Sequence, residues 1–366
     1  MKKFQQILTL ALSLGFIAVF AAWFLLLPDA EESITERRHL AKCPPLSLSS
    51  VANGSFMNGF EKYMLDQFPL RGGFRTLKAA ANAGVFMQKD NNRLYSVGEH
   101  LSKLDFPTDF DSVDRAAQRF RYVYDAYLRN GGTKTYLSVI PDKNFFIASP
   151  NGYPDKDYRA LVERLGKGFP EAKYIDVSGL LSADDFYYTD LHWRQERILK
   201  VADEIADKMG AERIGQCEKH DAGISFYGVY YGQAALPHAP ESLSYLDNSV
   251  IRGLKVYNVE TSSDIPVYDL SAAAGRDPYE MFLGGARSII RITNPNAAKE
   301  RRLIVFRDSF CSSIAPLLTA GYSEITLVDI RYISPSALGK LIDFTKADDA
   351  LFLYSASVIN NSETIK

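Results

Sequence analysis

"RLIVFRDSFCSSIAPLL", residues 302–318, decides how this chain is read. An apolar, strand-like run ends on Arg307, Asp308 and Ser309 and passes at once into a helical pattern. A strand that runs straight into a helix leaves one residue at the sheet edge, beside helix N–H groups that have no intrahelical acceptor. Ser309 is that residue. Serine is a weak nucleophile at neutral pH, so the corner raises the question of a base elsewhere in the chain.

Working outward, strand and helix patterns alternate. After Ser309 come the helix "CSSIAPLLTAGY", the strand "EITLVDI", the helix "SPSALGKLIDF" and the strand "ALFLYSA". Upstream, Val113, Ala116, Ala117, Phe120, Val123, Tyr124 and Tyr127 mark one face of a helix closed by Gly131 and Gly132. The strand "KTYLSVI", a helix around "DYRALVERLGKGF" and the strand "KYIDVS" follow. Ile198, Val201, Ala202, Ile205 and Met209 mark another helix, ending at Gly210. This alternation predicts an α/β domain with a mainly parallel sheet flanked by helices. Between about 215 and 300 the texture changes to short Tyr- and Gly-rich pieces, expected as a β-rich, irregular insert.

The N-terminus is of another kind. Lys2 and Lys3 precede an uncharged apolar run, Ile7–Leu27, about long enough to cross a bilayer, and Pro28 with the acidic "DAEE" ends it. The run exceeds the usual apolar core of a cleaved signal, and no small-residue cleavage pattern follows, so an uncleaved anchor is expected over residues 1–30. The lysine pair should stay in the cytoplasm and put the rest of the chain outside it. Residues 31–60, rich in charge, Pro, Ser and Gly, read as a stalk, and 61–366 as the folded domain. "FEKYMLDQFPLRGGFRTLKAAANAGVF" has the spacing of one or two helices.

The 366 residues carry a net charge of -2 with no basic stripe, so nucleic acid is not an expected partner. Three cysteines are too few for a disulfide framework, although one bridge, Cys43 to Cys217, is compatible with an exported domain. Cys311 reads as a small buried residue.

The best source of a base is "YTDLHW", which puts Asp190 and His192 before a helix, in a loop of the same kind as the one bearing Ser309. In an open α/β sheet such loops gather at the carboxyl ends of the strands, so Asp190, His192 and Ser309 can meet there. Each piece alone has a structural reading: an Asp or Ser before a helix caps it, and a His beside Trp193 packs. Finding both loops at equivalent places raises the joint reading above the separate ones.

"TDLHW" and "FRDSF" resemble the paired signatures of the DHHW proteins, a branch of the SGNH hydrolase superfamily related to the alginate O-acetyltransferase proteins. "NGSFMNGFEKYMLDQFPLR", "DPYEMFLGGARSII", "EITLVDIRYI" and "ALFLYSASVINN" are similar as well, so the resemblance spans nearly all of the chain beyond residue 35. It implies Ser309 as nucleophile, His192 as general base and Asp190 as its orienter, in an order that reverses ordinary SGNH esterases, as a circular permutation would. Leu191 stands where the signature has a second His, which leaves the Asp and His roles in place. Cys311 stands where the group often has Gly, which would narrow the pocket.

A tetrahedral intermediate needs N–H donors aimed at its oxyanion. The Ser309 N–H is one candidate, and the "FLGG" turn with Gly284 and Gly285 is a second, its alternative reading being an ordinary turn. Arg307 is a candidate to hold an anion or polarise a carbonyl, Asp308 to buttress the loop, and Lys143 in "PDKN" to line the cleft. Tyr230, with Tyr227, Tyr231 and Tyr245, suits a sugar ring, although packing is the stronger expectation. His220 and His238 lack metal-ligand spacing with His192, so no metal and no cofactor are expected.

The expected protein is therefore a membrane-anchored, extracytoplasmic serine-dependent O-acetyltransferase acting on a cell-envelope or secreted polysaccharide. The resemblance further implies that a membrane-bound O-acyltransferase delivers the acyl group. An acetylesterase of the same mechanism and a non-catalytic polysaccharide-binding scaffold are the alternatives.

Overall fold

The apolar N-terminal run forms helix α1 (Lys2–Leu26), none of whose residues is buried. This computed structural model describes residues 2–366, which form two compact units. The first holds residues up to Asn92 together with Tyr231–Pro237. The helical spacing after residue 55 resolves into two helices, α2 (Ser55–Gln67) and α3 (Arg71–Gly84). A two-residue hairpin, Glu32–Ser33 with Arg38–His39, lies within the segment expected as a stalk. Gly232 is required here, because a Cβ at that position would stand 1.8 Å from the Thr35 carbonyl oxygen.

The second unit, Arg93–Tyr230 with His238–Lys366, is built on an eight-stranded sheet. Its strands are β1 (Lys134–Ile140), β2 (Lys173–Tyr174), β3 (Lys255–Asn258), β4 (Ser263–Ile265), β5 (Ile289–Thr293), β6 (Arg302–Arg307), β7 (Glu324–Val328) and β8 (Asp349–Ser355). The order across the sheet is β4-β3-β5-β7-β6-β8-β1-β2. The five strands from β7 to β2 are parallel, and β5, β3 and β4 continue the sheet with antiparallel pairings. Part of the expected insert thus belongs to the main sheet. The rest of it includes a separate antiparallel pair, Glu218–Phe226 with Glu241–Asp247.

Successive strand residues face opposite sides, so the central strands must be apolar at every position to be covered on both. In β6, Leu303 and Val305 join a core that includes Val201, Ile205 and Met209 of α6 (Leu199–Met209). Ile304 and Phe306 point the other way, into a core with Phe120 of α4 (Phe110–Val123) and Leu161 and Leu165 of α5 (Tyr158–Gly168). Parallel pairing sets Phe306 opposite Val328 and Phe352 and brings the ends of β6, β7 and β8 to one edge.

Two of the expected helices are shorter and tighter. After Ser309 there is one α-turn, Cys311–Ile314, followed by a 3₁₀ segment, Ala315–Gly321. Pro316 has no N–H to donate, which breaks the α-helical ladder there. "SPSALGKLIDF" gives a 3₁₀ segment, Pro335–Lys340. The three cysteines are free thiols in the structure, with Cys43 exposed, Cys217 half-buried and Cys311 buried.

Candidate active site

Ser309 stands immediately beyond β6, and the turn around it is fixed by its neighbour. Asp308 is fully buried; its Oδ1 accepts from the Phe310 N–H at 3.0 Å and its Oδ2 from the Ser355 N–H at 2.7 Å. One carboxylate thus holds the serine turn and ties it to the end of β8, the buttressing expected of it. The Ser309 N–H has no acceptor among the described residues.

The expected partners meet at this edge. His192 Nε2 lies 2.8 Å from Ser309 Oγ, and His192 Nδ1 lies 2.7 Å from Asp190 Oδ1. Asp190 Oδ1 also accepts the His192 N–H at 3.1 Å, while Oδ2 accepts the Val229 N–H at 2.8 Å. A carboxylate held by this many donors keeps its orientation. It can fix the histidine tautomer with Nδ1 protonated and Nε2 free to accept from the serine.

The loop carrying Asp190 and His192 departs from the expected form. No helix follows directly: Gln195–Arg197 is a single 3₁₀ turn, and α6 starts only at Leu199. Distant residues hold the loop instead. Glu241 accepts from the N–H groups of Tyr188 and Thr189, from the Thr189 hydroxyl and from Arg194. Lys143 is buried beneath it and donates from Nζ to the carbonyl oxygens of Tyr187 and Tyr188, each at 2.9 Å. Burial brings the Lys143 ammonium down to about 7, against the pull of the Asp190 and Glu241 charges. A neutral amine still has two N–H donors for these two carbonyls.

From the other side the chain around "FYGVY" crosses the loop. Gly228 donates to Thr189 Oγ1 and Tyr230 to the Thr189 carbonyl. A Cβ on Gly228 would stand 2.3 Å from the Thr189 carbonyl and 2.4 Å from Asp190 Cβ, so only glycine allows this approach. Tyr230 itself lies with its ring 5.2 Å from Lys143 Nζ, half-buried, and Tyr245 packs on His220 and Tyr268.

Three further residues join the two loops. Trp193 Nε1 donates to the Phe310 carbonyl and to Ser313 Oγ, and Gln195 Nε2 donates to the Ser313 carbonyl. Tyr279 lies flat on the His192 ring, 3.8 Å between centroids and 6° between planes, with its hydroxyl donating to Ser313 Oγ. None of Gly228, Glu241, Tyr279 and Ser313 was expected from sequence. The signals were present only as a Gly within a Tyr run and a Tyr within "DPYEMF".

Arg307 and the glycine turn form one assembly. Arg307 is fully buried, donates from Nη1 to Ser312 Oγ at 2.8 Å, and turns Nη2 toward the Gly285 and Arg287 carbonyls at 3.4 Å. It braces the turn and presents no surface to a substrate. Gly284 and Gly285 take φ of +68° and +76°, and the Gly285 N–H is committed to the Phe282 carbonyl. Cys311 is buried in the core, where desolvation pushes its thiol up to about 12.

The sheet and its flanking helices make an α/β fold of SGNH-like form. The structure is similar to that of a DHHW family protein from Eubacterium siraeum, with a TM-score of 0.60 at 17% identity, covering 75% of this chain and 95% of that one. It is also similar to Bacillus cereus PatB1 carrying a sulfonyl adduct, with a TM-score of 0.58 at 17% identity over 73% of this chain and 97% of that one. PatB1 in a second structure gives a TM-score of 0.57 at 15% identity, over 75% and 98%. No family model matches the sequence, and no curated protein does. At these identities the likeness establishes the fold.

Proposed function

We propose that this chain is a membrane-anchored serine acyltransferase that moves an acetyl group to a hydroxyl of a cell-envelope or secreted polysaccharide. The observation that carries the reading is the unbroken path Asp190–His192–Ser309, with both contacts under 3 Å. The solved PatB1 structure with a sulfonyl adduct adds support from a protein of the same fold, since sulfonylation is a reaction of activated nucleophiles.

Ser309 Oγ attacks the acyl carbonyl carbon while His192 Nε2 takes its proton, and the Ser309 N–H, without an acceptor among the described residues, serves the oxyanion. Collapse of the tetrahedral intermediate expels the donor's leaving group, which receives that proton from His192. A sugar hydroxyl then attacks the acyl-serine, giving its proton to His192 and releasing the O-acetyl sugar. Proton return to Ser309 Oγ closes the cycle. Transfer rather than hydrolysis is the reading because the motif resemblance is to O-acetyltransferase proteins. Helix α1, with mean hydropathy 2.3 in its most apolar window, would anchor the chain, and a membrane-bound O-acyltransferase would supply the acyl group.

The test is partition. The detergent-solubilised full chain is given p-nitrophenyl acetate with and without an oligosaccharide acceptor, and acetyl-sugar is counted by mass spectrometry against free acetate. Acetyl-sugar that increases with acceptor and vanishes in Ser309→Ala is the expected result. Acetate alone at every acceptor concentration would make the protein an esterase, and no Ser309-dependent release at all would remove the enzymatic reading.

A further inference from the structure

The first unit exposes several large apolar side chains. Phe74 and Leu77 on α3, with Leu70 just before it and Val85 just past its end, are exposed by 39, 64, 60 and 73%. On α2, Met64 and Leu65 are exposed as well. The opposite side of α3 buries Ala79, so the helix has an inner and an outer face, and the outer one is apolar. Large exposed apolar side chains gathered on one helix face mark a contact surface.

Helix α1 shows what that contact is. Phe20 stacks on Phe68 at 5.4 Å and meets Phe74 edge-on at 5.8 Å. Phe20 lies six residues before the last residue of α1, about 9 Å along the helix axis. If α1 crosses the bilayer, the residues that touch Phe20 lie at hydrocarbon depth too. Nearer the helix end, Phe24 meets Tyr63, whose hydroxyl donates to Asp29 just beyond α1, the arrangement of a ring at the polar boundary.

The charges are placed to match. Arg38 and Arg71 pair with both Glu36 and Asp66, and Arg75 pairs with Glu36, which leaves three cations against two anions. Exposed Lys78 adds another positive charge on α3. A groove of about 510 Å³ in this unit is lined by apolar Leu65, Phe68 and Phe74 and by basic Arg71, Arg75 and Lys78. Apolar and basic surfaces side by side fit the acyl chain and phosphate of a phospholipid.

We infer that the α2–α3 elbow is embedded in the leaflet where α1 leaves the bilayer, with Leu70, Phe74 and Leu77 among the acyl chains and Arg71, Arg75 and Lys78 at the phosphates. An amphipathic helix in this setting buries its apolar face about 5–10 Å into the headgroup and acyl boundary. The inference rests on the reading of α1 as a membrane span, and it makes the protein's base monotopic as well as single-pass. It holds the first unit at the membrane surface instead of letting it swing on a free stalk.

The chain has two tryptophans, Trp23 in α1 and the buried Trp193, which allows a test with built-in controls. The full chain is placed in nanodiscs of phosphatidylcholine and phosphatidylglycerol, with or without phosphatidylcholine brominated near the headgroup end of its chains. Trp23→Phe gives the unquenched Trp193 baseline, and adding Leu77→Trp, or Leu65→Trp as a second site, reports on the elbow. The expected result is that Trp23 and both elbow reporters are quenched, as rings buried about 5–10 Å into the headgroup and acyl boundary would be. Quenching of Trp23 with no change at either elbow reporter would overturn the inference and leave the anchor intact. Failure to quench Trp23 would overturn the anchor reading, and the inference with it.

Discussion

The two loops that meet at the candidate site are built in different ways. The Ser309 turn is local: Asp308, beside the serine, supplies both oxygens that fix it, and β6 and its neighbours carry it to the edge. The Asp190–His192 loop is held from afar, by Lys143, by Gly228 and Val229, by Glu241 and by Tyr279. A turn fixed by its own sequence is tolerant of change elsewhere. A loop fixed by remote groups transmits every change to the histidine.

The sharpest way to break this contrast is Gly228→Ala. The new methyl group cannot fit 2.3 Å from the Thr189 carbonyl, so the strap and Asp190 must part. Misplacement by about 1 Å costs on the order of a hundredfold in kcat, and acyl release by the purified variant should fall by that much. An equivalent change at Cys311, such as Cys311→Ala, removes only core volume and should lower the melting temperature while leaving kcat within a few fold.

Glu241→Gln comes next. It keeps an acceptor but removes the charge that pairs with Arg194 at 2.6 Å and draws in two backbone N–H groups. Loss of one partner of a buried pair costs about 3–5 kcal/mol, visible in urea unfolding, and kcat should fall with it.

Lys143→Met separates stability from charge. It strips the donors from two buried carbonyls, a loss of about 1–3 kcal/mol for each. It also changes the pH slope. Between about pH 7 and the ordinary 10.5, the unfolded chain holds a proton on Lys143 that the folded chain has given up, so stability rises with pH across that window. Denaturation midpoints of Lys143→Met should rise less steeply over the same range. An unchanged slope would mean that Lys143 is charged where it lies.

The mildest change is Tyr279→Phe, which keeps the ring on His192 and removes only the hydrogen bond to Ser313. A loss of about 0.5–1.5 kcal/mol in stability, with turnover within a few fold of the parent, is expected.

The same contrast explains what was legible in the sequence. β1 and β6 were readable because their apolar runs are continuous, and Ser309 because it directly follows one of them. Asp190 and His192 were found through a short local motif. Their supports lie far from them in the chain: Glu241 and Gly228 carry no chemistry in isolation, and their roles appear only when the chain returns to residues 187–192. Arg307 departs from its expected role for a related reason. A charged residue beside a nucleophile suggests substrate contact, but its position in β6 turns it inward, against Ser312 and the glycine turn. After Ser309 the apolar spacing suggests a longer helix than forms, because the N–H missing at Pro316 decides.

The central claim is that His192 and Asp190 activate Ser309, and serine-directed labelling tests it most directly. The full chain in detergent is treated with a fluorophosphonate, digested and mapped by mass spectrometry, alongside Ser309→Ala, His192→Ala and Asp190→Asn, with folding followed by circular dichroism. The account predicts one adduct, on Ser309, absent in Ser309→Ala, lost in His192→Ala and slowed on the order of 10⁴-fold in Asp190→Asn. Labelling of Ser309 at the parental rate in folded His192→Ala would contradict it, as would a folded parent protein that takes no label.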